Sequence, residues 1–513
     1  MNLNRYKLGF GTLLILTAVV MGLQNDRVGF ERGHHGWVTS DHLAIILRSS
    51  PANLGVGYIG ETLHADGSID RTYFNRAPFF FEALVHLVLS PLQDDLAAYV
   101  MGVRQILNGV YVITLVDVFF LARLWLASDL KAMFATFMLG SGYYFLEYKD
   151  LVEPNRLGAL AMFLAVYAIA DFERRRRVRH LVGLAAICSC MGEAAPACFV
   201  FLVWFLLVGS RFALQRQSLK AWFRMPALLA LMVSGGVAAS LIGYNVLAEA
   251  RMRSVAIADT GILESAQRRL GGAGDDVEAR MHKSVAWENY STVQVRRIFR
   301  GFVPHIVAAH GTVRNVSPWY ASVFLLLGVL ACVRFARRKA DDFSDSIWVA
   351  VGAGVLYLLV MRRLIAFHDF TLTNIAGFGL VVWCYVADRV IERHVRILTA
   401  FSAALLAVNL FTLRLHHNQM ARIHNPVTAE FQTIRGVLDP GSKRIFIDVE
   451  GGSSRDLIPG APAAPYFYFH GHLLTQQIEQ AEFVVKKARD GRRESLTETN
   501  QRYFLYRGGL ARP

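Results

Sequence analysis

The chain is predicted to be an α-helical polytopic membrane protein with about eleven transmembrane helices and a small outer C-terminal α/β domain. Three observations predict this. Hydrophobic residues make up 54% of the 513 positions against 18% charged, and the mean hydropathy is +0.34, too apolar for an ordinary soluble surface. Apolar runs long enough to span lie near 7–24, 100–124, 130–147, 156–172, 180–193, 195–211, 226–248, 319–335, 345–361, 370–388 and 395–412. The arginines and lysines, finally, fall in short clusters between those runs.

The first run reads as a retained signal anchor, because Met21-Gly22-Leu23-Gln24 is a poor small-residue cleavage site and further spans follow. Arg5/Lys7, Arg123/Lys131, Arg174 to Arg177 with Arg179, Arg211 to Arg224, Arg334 to Lys339 and Arg389 to Arg396 then fall on one face, which the positive-inside rule makes cytoplasmic. The run 78–92 (PFFFEALVHLVLSPL) is short for a span, is broken by Glu82 and His86 and is bounded by prolines, so it fits an interfacial or re-entrant helix. The resulting plan is a membrane-embedded catalytic module over 1–412 and an outer domain over 413–513. Within the module, 25–98 forms a first outer loop with interfacial helices, 147–156 a short outer loop and 249–318 a long one. In the tail, IFIDVE (445–450) is strand-like, YFYFH (466–470) follows, and LLTQQIEQAEFVVKKARD (473–490) is helix-like.

Several function classes drop out. The net charge of +14 is spent on topology clusters and not gathered into a nucleic-acid footprint. All five cysteines lie inside apolar runs, away from any outer-loop disulfide. There is no Walker A loop, no G-x-S-x-G, no H-E-x-x-H and no paired C-x-x-C, so nucleotide hydrolysis and the common hydrolase chemistries have no support.

Chemistry-bearing residues concentrate in the outer segments. The stretch 25–42 (NDRVGFERGHHGWVTSDH) is dense in acids, imidazoles and aromatics. Asp41 and Glu31 are competing candidates for a general base that activates an acceptor hydroxyl, with His34 and His35 beside them. The alternative is that Glu31 solvates the loop and Asp41 caps the helix that begins HLAIILRSS. A second cluster, Glu147 to Arg156, offers Asp150, Glu153 and Asn155 to orient an acceptor or hold a metal, and Lys149 or Arg156 to meet an anion; its alternative is a solvated interfacial loop. A third, Met361 to Phe370, puts Arg362, Arg363 and His368 on the outer face against the positive-inside trend, suited either to lipid phosphate or to headgroup anchoring. Arg296, Arg297 and Arg300, after Trp287 and Tyr290, are a weaker set of the same kind. Asp117, inside a span, reads equally as a partner for Arg123 six residues on.

Together these features resemble the GT-C superfamily of membrane glycosyltransferases, which includes dolichyl-phosphate-mannose protein mannosyltransferases and the lipid A aminoarabinose transferases. The acidic position shortly after the first helix is similar to Asp41-His42-Leu43-Ala44, with His42 where an acid is common. The Tyr-x-x-x-Pro-Pro-Leu-like stretch is similar to Tyr73-Phe74-Asn75-Arg76-Ala77-Pro78-Phe79, with Ala77 replacing the first proline and Arg76 a further candidate. The second acidic position is similar to Asp150 or Glu153, with Asn155 in a place often acidic, and a late basic pair is similar to Arg362-Arg363. The resemblance covers roughly residues 1–400 as architecture and does not account for the tail.

It implies a transferase that takes a sugar from a polyprenyl-phosphate donor to a hydroxyl of a lipid, glycan or protein on the outer face of a membrane, by inference the bacterial inner membrane. Asp41 or Glu31 would be the base, and Arg362, Arg363 and Lys149 would bind the donor phosphate. No cofactor is required, and the acids near 150–153 leave a divalent cation open. Competing readings are a secondary transporter or lipid flippase, and a polysaccharide polymerase or ligase using a diphosphate-linked lipid.

Overall fold

The computed structural model describes residues 34–49, 57–74, 80–149, 151–152, 155–191, 195–214, 225–253, 318–337, 344–360, 373, 376–438, 443–448, 463–487 and 503–507. It is mainly helical. In chain order the elements are α1 (His34–Arg48), strands β1 (Gly57–Leu63) and β2 (Ile69–Phe74), then α2 (Phe80–Leu89), α3 (Leu96–Leu126), α4 (Asp129–Gly140), α5 (Tyr143–Glu147) and α6 (Asn155–Arg175). There follow α7 (Val178–Cys190), α8 (Ala195–Leu214), α9 (Met225–Arg253), α10 (Pro318–Arg337), α11 (Ser344–Val360) and α12 (Gly377–Val437). The chain ends with β3 (Arg444–Asp448), α13 (Ala464–Tyr468), β4 (Leu473–Thr475), β5 (Phe483–Lys487) and β6 (Tyr503–Arg507).

The run 7–24 lies outside the described residues; the described part of every other predicted apolar run lies mainly on these helices, with 130–147 divided between α4 and α5 and 370–388 helical from Gly377. Two of the helices, Leu96–Leu126 and Gly377–Val437, are long and apolar enough to cross a membrane by length and composition. The bundle also turns apolar side chains outward: Ile113, Val116, Ile187, Leu206, Met232, Ile242, Leu326, Val329 and Phe411 are all exposed. Large apolar side chains turned outward in this number are costly in water and at home in lipid.

The predicted spans 370–388 and 395–412 are arms of one element, α12, that reverses at His394, whose φ of −127° and ψ of 29° break the helix. Trp383 meets Phe134 edge to face, while Lys131, earlier on α4, meets Asp388 and Glu392 at 3.2 and 3.0 Å. Beyond the kink the order inverts: Ser402 reaches Met138, Asn409 donates to the carbonyl of Ser141 at 2.8 Å, and His416 approaches Glu147. The first arm therefore runs antiparallel to α4 and the second parallel to it. Among the described residues, basic side chains collect at the end where this reversal sits. Trp125 donates to Ser346, the amide of Ser346 donates to Glu173, Arg175 pairs with Asp171, and Arg211 pairs with Asp345, so these helix ends are stitched into one Arg-rich end of the bundle.

At the opposite end lies a six-stranded sheet of order β2-β1-β4-β3-β5-β6. β1 and β2 form an antiparallel hairpin around Gly67, whose φ of +83° a side chain would disfavour. β1 then pairs in parallel with β4, through Thr62 opposite Leu474, so the sheet joins a segment before α2 to strands more than 400 residues later. The segment predicted as helix-like over 473–490 is instead, over its described residues 473–487, β4, a 3-10 turn at Ile478–Gln480 and β5; the parallel pairing of β3 with both strands takes up backbone groups that a helix would have satisfied internally. IFIDVE does contain a strand, and YFYFH falls on the short α13 and the turn after it.

The second arm of α12 continues past the bundle into this layer. Phe431 stacks on Tyr468 with ring centroids 4.4 Å apart, and Thr428 and Tyr468 share a hydrogen bond of 2.9 Å. One apolar cluster runs through Leu43–Leu47, Val85, Tyr99, Val103, Phe431, Ile445, Phe467 and Leu474, tying α1 and the strands after α12 to α3. Burying each such Leu, Ile or Phe contributes about 1.5–3 kcal/mol before chain entropy is charged against it.

Candidate active site

The polar residues enclosed near the sheet end come from α1, α2, α3 and the α5 region. Helix α1 begins at His34, so Asp41 lies in its interior and is not its cap; the expected cap at Ser40-Asp41 is corrected by seven further helical residues upstream. From Thr39 to Leu47 every side chain of α1 is buried whichever way it faces, Asp41 at 7% exposure included. A helix enclosed all round carries a carboxylate only at a desolvation cost, which is why buried acids concentrate where chemistry is done.

Next to Asp41, His42 comes within 4.0 Å of Glu82 on α2, and both are buried. Burial pushes the His42 imidazole down to about 3, so the ring is neutral at pH 7 and the pair is not an ion pair. At the carboxyl end of α1, Arg48 donates to the carbonyl of Tyr466 at 3.2 Å and lies 5.5 Å over the Tyr58 ring, fixing α1 against β1 and α13. His470, after α13, accepts through Nδ1 from Arg435 at 2.8 Å, and its pKa is lowered to about 3 by burial first and by the Arg435 charge next.

Lys149, two residues beyond α5, is 1% exposed. It follows a Tyr143-Tyr144-Tyr148 aromatic run in which Tyr144 and Tyr148 stack 5.4 Å apart. Val152, three residues later, packs in the apolar cluster that holds Leu43–Leu47 and Val103. Tyr143, Tyr144, Tyr148 and Leu151 pack instead in the main core of the bundle, so the segment bearing Lys149 passes from that core to the one that holds the helix bearing Asp41 and touches the latter through Val152. Arg104, buried on α3 beside Val103 with Asn108 one turn on, adds a guanidinium to the same helix surface region.

Of the residues expected from sequence, Asp41 and Lys149 are thus described and buried. His34 and His35 occupy the first turn of α1 and Asn155 opens α6, with their side chains outside the description. Glu31, Asp150, Glu153, Arg76, Arg362, Arg363 and His368 lie outside the described residues. Among the described residues, no three His, Cys, Asp or Glu side chains gather as a metal site, and the acids offered for a cation are not among those described. Glu82 and Arg104 are additions that sequence reasoning passes over. Arg104 carries a readable signal, a charge a few residues into an apolar run, which is costly unless used. Asp117 does not take Arg123 as its partner: Arg123 binds Asp129 through Nε at 2.7 Å.

No family model matches the chain, and no curated protein matches it. Among solved structures the chain is similar to ArnT from Cupriavidus metallidurans bound to undecaprenyl phosphate, at a TM-score of 0.43 and 11% identity over 91% of this chain and 86% of that one. It is also similar to the Archaeoglobus fulgidus oligosaccharyltransferase in complex with Zn and sulfate, at a TM-score of 0.46 and 11% identity over 92% of this chain and 67% of that one.

Proposed function

We propose that the chain is a membrane glycosyltransferase that moves a sugar from a polyprenyl-phosphate donor to a hydroxyl acceptor, with its site at the sheet end of the bundle. The observation that carries this reading is Asp41: a carboxylate enclosed in α1, whose core is reached by Val152, three residues after buried Lys149. Asp41, or Glu31 ahead of it, takes the proton from the acceptor hydroxyl; the oxygen attacks the anomeric carbon, and the bond to the lipid phosphate breaks with its electron pair on the phosphate. Lys149, with Arg362 and Arg363, stabilises the charge that develops on that leaving group. On this reading 1–412 is the catalytic module, 413–513 the outer domain, and the Arg-rich end faces the cytoplasm. The site then opens on the outer face of the bacterial inner membrane.

The test is transfer of labelled sugar from undecaprenyl-phosphate and other polyprenyl-phosphate donors in membranes holding the wild type, Asp41→Asn or Glu31→Gln at matched expression. Loss of transfer in one variant, by about 10²–10⁴-fold with donor binding retained, supports the reading and assigns the base. Full activity in both variants removes that assignment. No transfer by the wild type across the donor panel moves the reading to a transporter or flippase, for which the buried Asp117 would be the group to study.

A further inference from the structure

The Arg-rich end holds a cavity of about 800 Å³ between α3, the turn into α4, and α6. Phe120, Arg123, Asp129, Tyr167, Arg174 and Arg175 line it. The proposed transfer chemistry uses none of them. Arg123 pairs through Nε with Asp129 at 2.7 Å, and Arg175 through Nη1 with Asp171 at 3.1 Å. A guanidinium has five N–H donors, so each pair leaves donors for a further anion, and Arg123 and Arg175 keep about half of their side-chain surface open at 53% and 43%. The lining carries Arg123, Arg174 and Arg175 against Asp129, and the adjoining stretch 171–179 adds Arg176, Arg177 and Arg179 against Asp171 and Glu173, so this end is net positive.

The approach to the cavity is apolar. Ile113, Val116 and Phe120 are exposed on α3 at spacings of three and four, one face of a helix, and Arg123 continues that face one turn further. From Ile113 to Arg123 the helix rises about 15 Å, roughly half the hydrocarbon thickness of a bilayer. The track is thus the length of one leaflet and ends on guanidinium groups. Arg176 fixes the far wall: it adopts a φ of +55°, its amide donates to the carbonyl of Phe172 at 2.8 Å, and its guanidinium lies 5.7 Å from the Phe172 ring, which stops α6 just past Arg174 and Arg175.

We propose that this cavity seats the phosphate headgroup of an anionic phospholipid whose acyl chain lies along Ile113, Val116 and Phe120. Bidentate arginine contacts suit a phosphodiester, and a soluble phosphate would gain nothing from the apolar track. The bound lipid would fix the Arg-rich end at the leaflet surface.

The experiment is native mass spectrometry of the delipidated full-length protein, titrated with phosphatidylglycerol or with phosphatidylcholine of the same chains, and with inorganic phosphate as competitor. The expected result is a preference for phosphatidylglycerol of about five-fold or more, reduced about five-fold per charge in Arg123→Gln and Arg174→Gln, and unmoved by millimolar phosphate. Equal binding of the two lipids, or an unchanged preference in both variants, overturns the proposal. Full displacement by phosphate overturns it in favour of a soluble anion. Should the arginine variants fail to fold, Phe120→Trp supplies the second test: its fluorescence is quenched more by brominated phosphatidylglycerol than by brominated phosphatidylcholine, and equal quenching rejects the site.

Discussion

The side chain of Gln432 caps α3 from a distance of 336 residues: its Oε1 accepts from the amide of Leu96 at 3.0 Å, while its Nε2 donates to the carbonyl of Asp94 at 2.8 Å. The first amide groups of a helix have no partner within it, so the second arm of α12 supplies one and fixes how the sheet end sits on the bundle. Gln432→Leu keeps the bulk and removes both bonds. The expected cost is about 1–2 kcal/mol, read as a lower Tm and faster hydrogen exchange confined to residues 94–100. Unchanged exchange there would show that water replaces the glutamine at no cost.

Gly60 lies where β1 passes beneath Tyr466. A methyl group added to it would overlap Cδ1 of that ring and stand 2.7 Å from its Cγ, and the ring's hydroxyl is held by Thr62 at 2.8 Å. Because the near atoms are the root of the ring and not its free end, Gly60→Ala is expected to destabilise the protein by about 1–3 kcal/mol. Gly67→Ala meets no atoms but must hold a φ of +83°, so its cost has a backbone origin. Introducing Tyr466→Ala should relieve Gly60→Ala and leave Gly67→Ala unaffected; a melting-temperature cycle over these variants checks both statements.

Acid should weaken the sheet end through His42 and His470. Both have folded-state pKa values of about 3, below the ordinary 6.5, so at pH 7 they are neutral in the folded and unfolded chain alike. As pH falls below 6.5 the unfolded chain takes up protons that the folded chain refuses, and stability is lost progressively down to pH 3. For the fully enclosed His42 the slope approaches about 1.4 kcal/mol per pH unit. Melting temperatures should fall between pH 6.5 and 5, and His42→Gln should flatten that fall; an unchanged slope in the variant removes His42 as its source.

Lys149 tests the donor-binding half of the proposal. If its ammonium meets the donor phosphate, Lys149→Gln should raise KM for the lipid-linked sugar about ten-fold or more, the size of one charge-assisted hydrogen bond. Wild-type KM with a lowered Tm would make Lys149 a structural cation of the core.

The apolar runs were legible because lipid and core make the same demand over a whole helix length, and the basic clusters because their positions between runs mark one end of the bundle. Asp41 and Lys149 could be singled out by residue type and place, yet their burial could not, since Asp41 reads locally as a cap and only β1, α2 and α13 packing around α1 enclose it. Arg104 and Glu82 gain significance only once that enclosure is seen.

Which long apolar segments are helical, and at which end of them charge collects, follows from the amino-acid order alone, because those properties depend on neighbours three and four residues away. Tertiary structure decided that LLTQQIEQAEFVVKK forms strands, that β1 pairs with β4 rather than staying a lone hairpin, and that Gln432 finishes α3. Those outcomes rest on backbone groups being satisfied by partners hundreds of residues distant, and no local pattern encodes which partner arrives.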